Sequence, residues 1–129
     1  MNVKRFFQTT LLFTLLGTTF IACESEPENV DAHLYGRWEI ISATRAGQPT
    51  KTFSDLYYEF DQEGKMRTNL PLGQGESPFT LDGNTVKQET EQMTVAYNIE
   101  SINDSLLVMS TVLRDTPFRF NLRKTEAPE

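Results

Sequence analysis

One cysteine and one histidine stand in this chain of 129 residues, and their positions limit the chemistry open to it. Cys23 closes an apolar run and opens an acidic one, so it marks a junction in the chain. A lone cysteine forms no internal disulfide and supplies no thiolate cluster for a metal. His33 alone falls short of the multi-histidine sets that hold zinc or iron. A Ser–His–acid arrangement would need His33, which lies ahead of the first strand and away from any core serine. Glu39, Glu59 and Glu100 are the carboxylates that could serve acid–base work. Their expected place is a solvated strand face, because an unpaired buried carboxylate is costly. Asp61-Gln62-Glu63-Gly64 lacks the regular ligand spacing of a calcium loop and reads as a hairpin turn. The glycines of Pro71–Pro78 lack the spacing and following helix of a phosphate loop. That segment is either a lid over an open end or a plain connection. No catalytic residue, metal ligand or cofactor is expected, and the chain is not expected to be an enzyme.

Charge excludes another class. The chain carries 12 basic and 18 acidic residues, a net charge of −6. From Leu34 to Lys124 the balance is nearly even, with 10 basic and 12 acidic side chains. Without a basic excess there is no electrostatic footprint for nucleic acid. The acidic surplus lies outside this stretch, at Glu24, Glu26, Glu28, Asp31, Glu126 and Glu129.

The elements that must position any site are strands. Gly47-Gln48-Pro49, Asp61–Gly64, Pro71–Gly75, Asp82-Gly83-Asn84 and Asn103-Asp104-Ser105 are turn sequences, since Gly, Asn and Asp tolerate positive φ and Pro presets φ. Thr90-Glu91-Gln92 and Asp115-Thr116-Pro117 are weaker breaks. Between them apolar residues alternate with period two. Leu56, Tyr58 and Phe60 share a face, as do Met93, Val95, Tyr97 and Ile99, and again Phe118, Phe120 and Leu122. Leu106–Leu113 is apolar on both parities and is expected to be covered on both sides. The spacing predicts an all-β domain over 34–124 with eight short antiparallel strands. Closure into a small up-and-down barrel removes exposed edges most completely, and an open two-sheet sandwich is the alternative.

Ahead of this domain, Lys4 and Arg5 precede the apolar segment Phe6–Ile21, which ends Phe20-Ile21-Ala22-Cys23. A positive start, an apolar run diluted by threonines and a small residue at the end describe a cleaved export signal over 1–22. The ending resembles the lipobox of bacterial lipoproteins: Ala22 and Cys23 match its two most diagnostic positions, and Phe20 departs from the usual leucine, as in Bacteroidetes sequences. The resemblance implies a lipid on Cys23 and anchoring to the cell envelope, expected at the outer membrane, since two or more acyl chains hold a protein stably there. Ordinary secretion with a free thiol is the alternative. Residues 23–33 then form a flexible acidic tether, too poor in apolar side chains to fold. Its Ser and Glu residues resemble acidic surface-export signals, with a plain spacer as the other reading. Residues 125–129 are expected to be a disordered tail.

The first strand opens Leu34-Tyr35-Gly36-Arg37-Trp38, and the last is Pro117-Phe118-Arg119-Phe120-Asn121-Leu122-Arg123-Lys124. This pairing resembles the lipocalin and calycin families, in which a Gly-x-Trp motif begins strand one and a basic residue from the barrel's end packs near the tryptophan. By position Gly36 and Trp38 match the motif, with Arg123 or Arg119 as the basic partner and Arg123 favoured. The likeness is to small lipocalin-like lipoproteins of Bacteroidetes. It implies a barrel lined by Tyr58, Phe60, Tyr97, Met109, Phe118 and Phe120, with Met66, Leu70, Phe79, Leu81, Val95 and Ile99 alongside. These side chains either form a calyx for a small hydrophobic ligand, with Tyr58 and Tyr97 near the rim as polar contacts, or simply fill the interior. A ligand carrier and a filled module that docks a protein or glycan of the envelope are the two functions expected.

Overall fold

The computed structural model describes residues 29–126. The period-two alternation becomes nine strands: β1 (Gly36–Arg45), β2 (Gln48–Thr50), β3 (Tyr57–Phe60), β4 (Lys65–Thr68), β5 (Gly75–Asp82), β6 (Thr85–Glu89), β7 (Thr94–Ile102), β8 (Leu106–Leu113) and β9 (Thr116–Thr125). One short helix, α1 (Val30–Leu34), precedes them. Neighbouring strands pair antiparallel in the order β2-β1-β3-β4-β5-β6-β7-β8-β9, and β1 pairs with β9 as well. That pairing runs from Arg37 opposite Thr125 to Arg45 opposite Phe118. It closes β1 and β3–β9 into an eight-stranded antiparallel barrel, as expected, and sets the sandwich aside. β2 is an addition, a three-residue strand lying along the second half of β1.

Turn chemistry accounts for the hairpins. Ala46 and Gly47 between β1 and β2 have φ of 49° and 78°, and Arg114 and Asp115 between β8 and β9 have φ of 50° and 64°. Two-residue turns with both residues at positive φ match the right-handed twist of the strands they join. Elsewhere side chains substitute for backbone. The Asp61 carboxylate accepts the N–H groups of Glu63 and Lys65, each at 2.9 Å. Asn103 Oδ1 accepts those of Ser105 and Leu106, each at 2.8 Å.

Two bulges adjust the alternation. The register shifts between Ile40 and Ser42 in β1 and between Ile99 and Ser101 in β7. Each extra residue moves the following side chains by one parity. Trp38 and Ala43 are thereby both buried, and in β7 Ile99 is buried while Ile102, three residues on, still packs against the core.

Four sequence expectations need correction. Val30–His33 belongs to the folded body, not to the tether: Val30 and Leu34 are buried, and α1 sets them into the core. Two apolar side chains four residues apart lie on one helix face, which is enough to dock a single turn. At the other end β9 reaches Thr125. The loop after β4 is shorter than expected, because Gly75–Pro78 is the start of β5. On β8, Leu107 and Met109 face the core, but Leu106 and Val112 on the outer parity are 48% and 64% exposed. Only the middle of that outer face is shielded, where Arg119 Nε meets Glu100 Oε2 at 2.8 Å from the strands on either side.

Candidate functional site

The expected lining residues converge inside the barrel. Tyr58, Tyr97, Met109 and Phe120 are fully buried, and Phe60 and Phe118 are 3% and 8% exposed. Inward parity on four strands, β3, β7, β8 and β9, brings these side chains into one cluster with their neighbours. Their rings touch. Tyr58 packs edge-on to Tyr97 at 5.3 Å between centroids and stacks on Phe60 at 6.2 Å. Phe118 and Phe120 stack at 6.2 Å. Phe53, from the connection between β2 and β3, meets both edge-on at 5.4 and 5.5 Å. Aromatic pairs favour such geometry beyond their buried area. Phe53 was not foreseen, because it lies in a connection with no alternation to reveal its direction.

Tyr58 and Tyr97 are not at a rim. Their hydroxyls meet at 3.4 Å in the interior, and Tyr97 donates to Gln88 Oε1 at 3.1 Å. Gln88 Nε2 then donates to Ser77 Oγ at 2.9 Å and to the Gly73 carbonyl at 3.1 Å. Gln88 has no exposed surface, so each of these bonds replaces water that it cannot reach. Burial pushes the Tyr58 hydroxyl well above its ordinary range, and pushes that of Tyr97 up to about 12. Both are therefore neutral at physiological pH. Gln88 is a polar interior residue that the sequence did not single out. Its signal was parity alone, since it shares the inward face of β6 with Val86.

The connection between β4 and β5 closes over this row. Leu70 is buried, Leu72 packs against the core, and the Gly73 amide donates to the Leu70 carbonyl at 3.0 Å. A Cβ on Gly73 would lie 2.5 Å from Gln88 Nε2. Gln88 could retreat only by breaking its bonds to Gly73, Ser77 and Tyr97. Glycine here is a packing requirement, and the connection is a fitted cover.

At the opposite pole, Gly36 and Trp38 sit as expected where the chain enters the barrel. Trp38 is fully buried and donates from Nε1 to the Leu34 carbonyl at 2.8 Å, which ties it to α1. The cation over its ring is Lys124, with Nζ at 5.1 Å from the centroid, not Arg123 or Arg119. Parity decides this. Phe118, Phe120 and Leu122 face inward, so Lys124 continues their side while Arg119 and Arg123 stand exposed on the outside. Gly36 has φ +125° and a Cβ there would lie 2.9 Å from Lys124 Cε. Backbone conformation and close approach both require the missing side chain.

The carboxylates considered for acid–base work occupy the outer wall. Arg37 Nη1 donates to Glu59 at 2.8 Å and its Nε to Glu39 at 3.3 Å, while its guanidinium lies 4.1 Å over the Tyr57 ring. Glu100 holds Arg119. His33 Nδ1 lies 2.8 Å from Asp104 at the α1 pole, away from the interior tyrosines. Among the described residues no group of three His, Cys, Asp or Glu side chains could hold a metal ion. The lipidation expected at Cys23 lies outside the described residues. Comparisons with protein-family models, curated proteins and solved structures give no match, so the geometry of the barrel carries the functional reading.

Proposed function

We propose that this chain is a membrane-anchored, non-catalytic interaction module of the cell envelope, tethered by lipid on Cys23 and built on a lipocalin-like barrel whose interior is filled. The observation that carries the docking half of this reading is the packed centre. Tyr58, Tyr97, Met109 and Phe120 have no exposed surface and contact one another or their neighbours directly. The phenol hydroxyls that would orient a ligand already engage each other and Gln88. A calyx for a hydrophobic ligand needs room and free polar contacts, and these residues offer neither. Function then falls to the outer wall and the loops. The placement of His33 beside Asp104, remote from the interior hydroxyls, supports a non-catalytic role. The anchoring half rests on the sequence ending Ala22-Cys23.

Native mass spectrometry of the chain from residue 24 onward, after incubation with mixed fatty acids and lipids, tests the filled interior. Native and denatured masses are expected to agree. A discrete excess mass in the native state would establish the carrier instead. Fractionation tests the anchor. Cys23→Ala is expected to move the protein from the membrane to the soluble fraction, and persistence in the membrane would refute lipid anchoring.

A further inference from the structure

On the assumption that the barrel is a docking module, we propose that the outer wall of β6–β9, beside the β8–β9 turn, binds an extended acidic peptide segment of a partner protein. The wall is concave there, with a volume of about 530 Å³ between the strands. Its floor carries no charge. Register places Thr85, Asn98, Ser110 and Arg119 in one outward row. The next row holds Lys87, Ala96, Val112 and Pro117, with Ala96 beside Val112 by continuation of the Tyr97–Thr111 pairing. Val112 is 64% exposed. Small uncharged side chains thus line a trough with Lys87 at one corner and the Arg119–Glu100 ion pair at the opposite one.

A second cation stands beside the trough at the turn. Arg114 and Asp115 occupy the left-handed region, at φ 50° and 64°, where glycine would sit without strain and other residues cost stability. The turn thereby keeps an exposed arginine that makes no ion pair among the described residues. Its base is fixed by the bond from the Ala46 amide to the Pro117 carbonyl at 2.8 Å. Lys87 is held only loosely, 3.9 Å from the exposed Asp82. Of the acids around the trough, Glu100 is taken up by Arg119, Glu89 accepts a bond from Thr94 Oγ at 2.8 Å, and Asp115 is exposed beside Arg114 in the turn. A partner with small apolar side chains along the floor and carboxylates toward Lys87 and Arg114 complements this surface. A glycan fits less well, because the aromatic ring in the lining, Phe118, is 8% exposed and offers no open face for a sugar to stack on.

The wall also stays accessible under anchoring. The described chain starts at α1, the pole where β1 begins and β9 ends. Five residues lie between Cys23 and Asn29, a reach of at most about 22 Å. The α1 pole then faces the bilayer, and the β8–β9 turn faces away.

The test uses the full chain, isotope-labelled and held in zwitterionic detergent, titrated with a capped peptide of alternating valine and glutamate. Amide shifts are expected at Ala96, Ser110 and Val112. Affinity should fall about fivefold or more in the Lys87→Glu/Arg114→Asp variant, and likewise as salt rises from about 0.05 to about 0.5 M. A barrel spectrum identical to that of the parent chain checks that this variant folds. A valine–lysine peptide should leave the wall unshifted. Silence at the wall, equal binding of the lysine peptide, or equal binding of an acidic oligogalacturonate would each overturn the proposal. None of these results changes the native mass, so failure of the groove is distinguishable from failure of the filled-barrel reading.

Discussion

Trp38→Ala is expected to lower folding stability by about 3–5 kcal/mol, read as a shift in the urea midpoint at unchanged slope. The ring is fully buried, and it is the chain's one tryptophan. Its removal leaves a cavity at the barrel's closed pole and strands the Leu34 carbonyl that accepts Nε1–H. The Lys124 ammonium also loses the ring beneath it, a contact worth about 0.5–2 kcal/mol in general. Small domains have about 5–15 kcal/mol in total, so the variant should unfold far earlier and release α1 with it. An unmoved midpoint would mean that Trp38 is not the residue joining helix, first strand and last strand.

The second large effect is alkaline. Burial holds both Tyr58 and Tyr97 above the ordinary tyrosine value of 10.0, with Tyr97 up to about 12. A phenol is neutral when protonated, so above pH 10 the folded chain retains protons that the unfolded chain has released. The stability these groups contribute is therefore complete below about pH 10 and is lost as pH rises through that value. The loss is about 1.4 kcal/mol per pH unit for each tyrosine, and for Tyr97 it levels off near pH 12. Urea midpoints across this interval should fall steeply, and phenolate absorbance should rise together with unfolding. Tyr97→Phe should make the fall shallower. If all four tyrosines titrate near pH 10 with the barrel intact, the two hydroxyls are not enclosed as described.

Much of this interior was legible beforehand. Alternation in Tyr57–Phe60, Thr94–Ile99 and Phe118–Leu122 identified the inward residues, because a strand buried on one face leaves no freedom in parity. Gly-, Asn- and Asp-bearing turn sequences identified most hairpins, but the β8–β9 turn falls at Arg114-Asp115, one residue ahead of the Asp115-Thr116-Pro117 break. The same parity, followed along β9 from Phe118, Phe120 and Leu122, points to Lys124; the resemblance asks only for a basic residue, and Arg123 was favoured in its place. What alternation cannot reach is side chains delivered by irregular backbone. Phe53 enters from a connection, and Val30 and Leu34 enter from one helical turn inside a segment rich in charge. Gln88 was hidden for another reason. Composition treats glutamine as a surface residue, and its burial depends on partners supplied by Ser77, Tyr97 and the Gly73 carbonyl, which only the closed barrel assembles.

The extra strand β2 carries a consequence for copies of the chain held close together. In its pairing with β1, Arg45–Gln48 closes the two-residue turn and Ala43 faces Thr50, which leaves Thr44–Pro49 as the pair between hydrogen-bonded ones. Of the three residues, only Pro49 then turns its backbone away from β1, and proline has no N–H to offer. A free sheet margin ordinarily invites another chain to add a strand, the first step toward aggregation. Here that margin is three residues long and lacks its one outward donor. If the proposed lipid anchor concentrates copies in the plane of a membrane, they would collide along this side without zipping together and remain separate molecules.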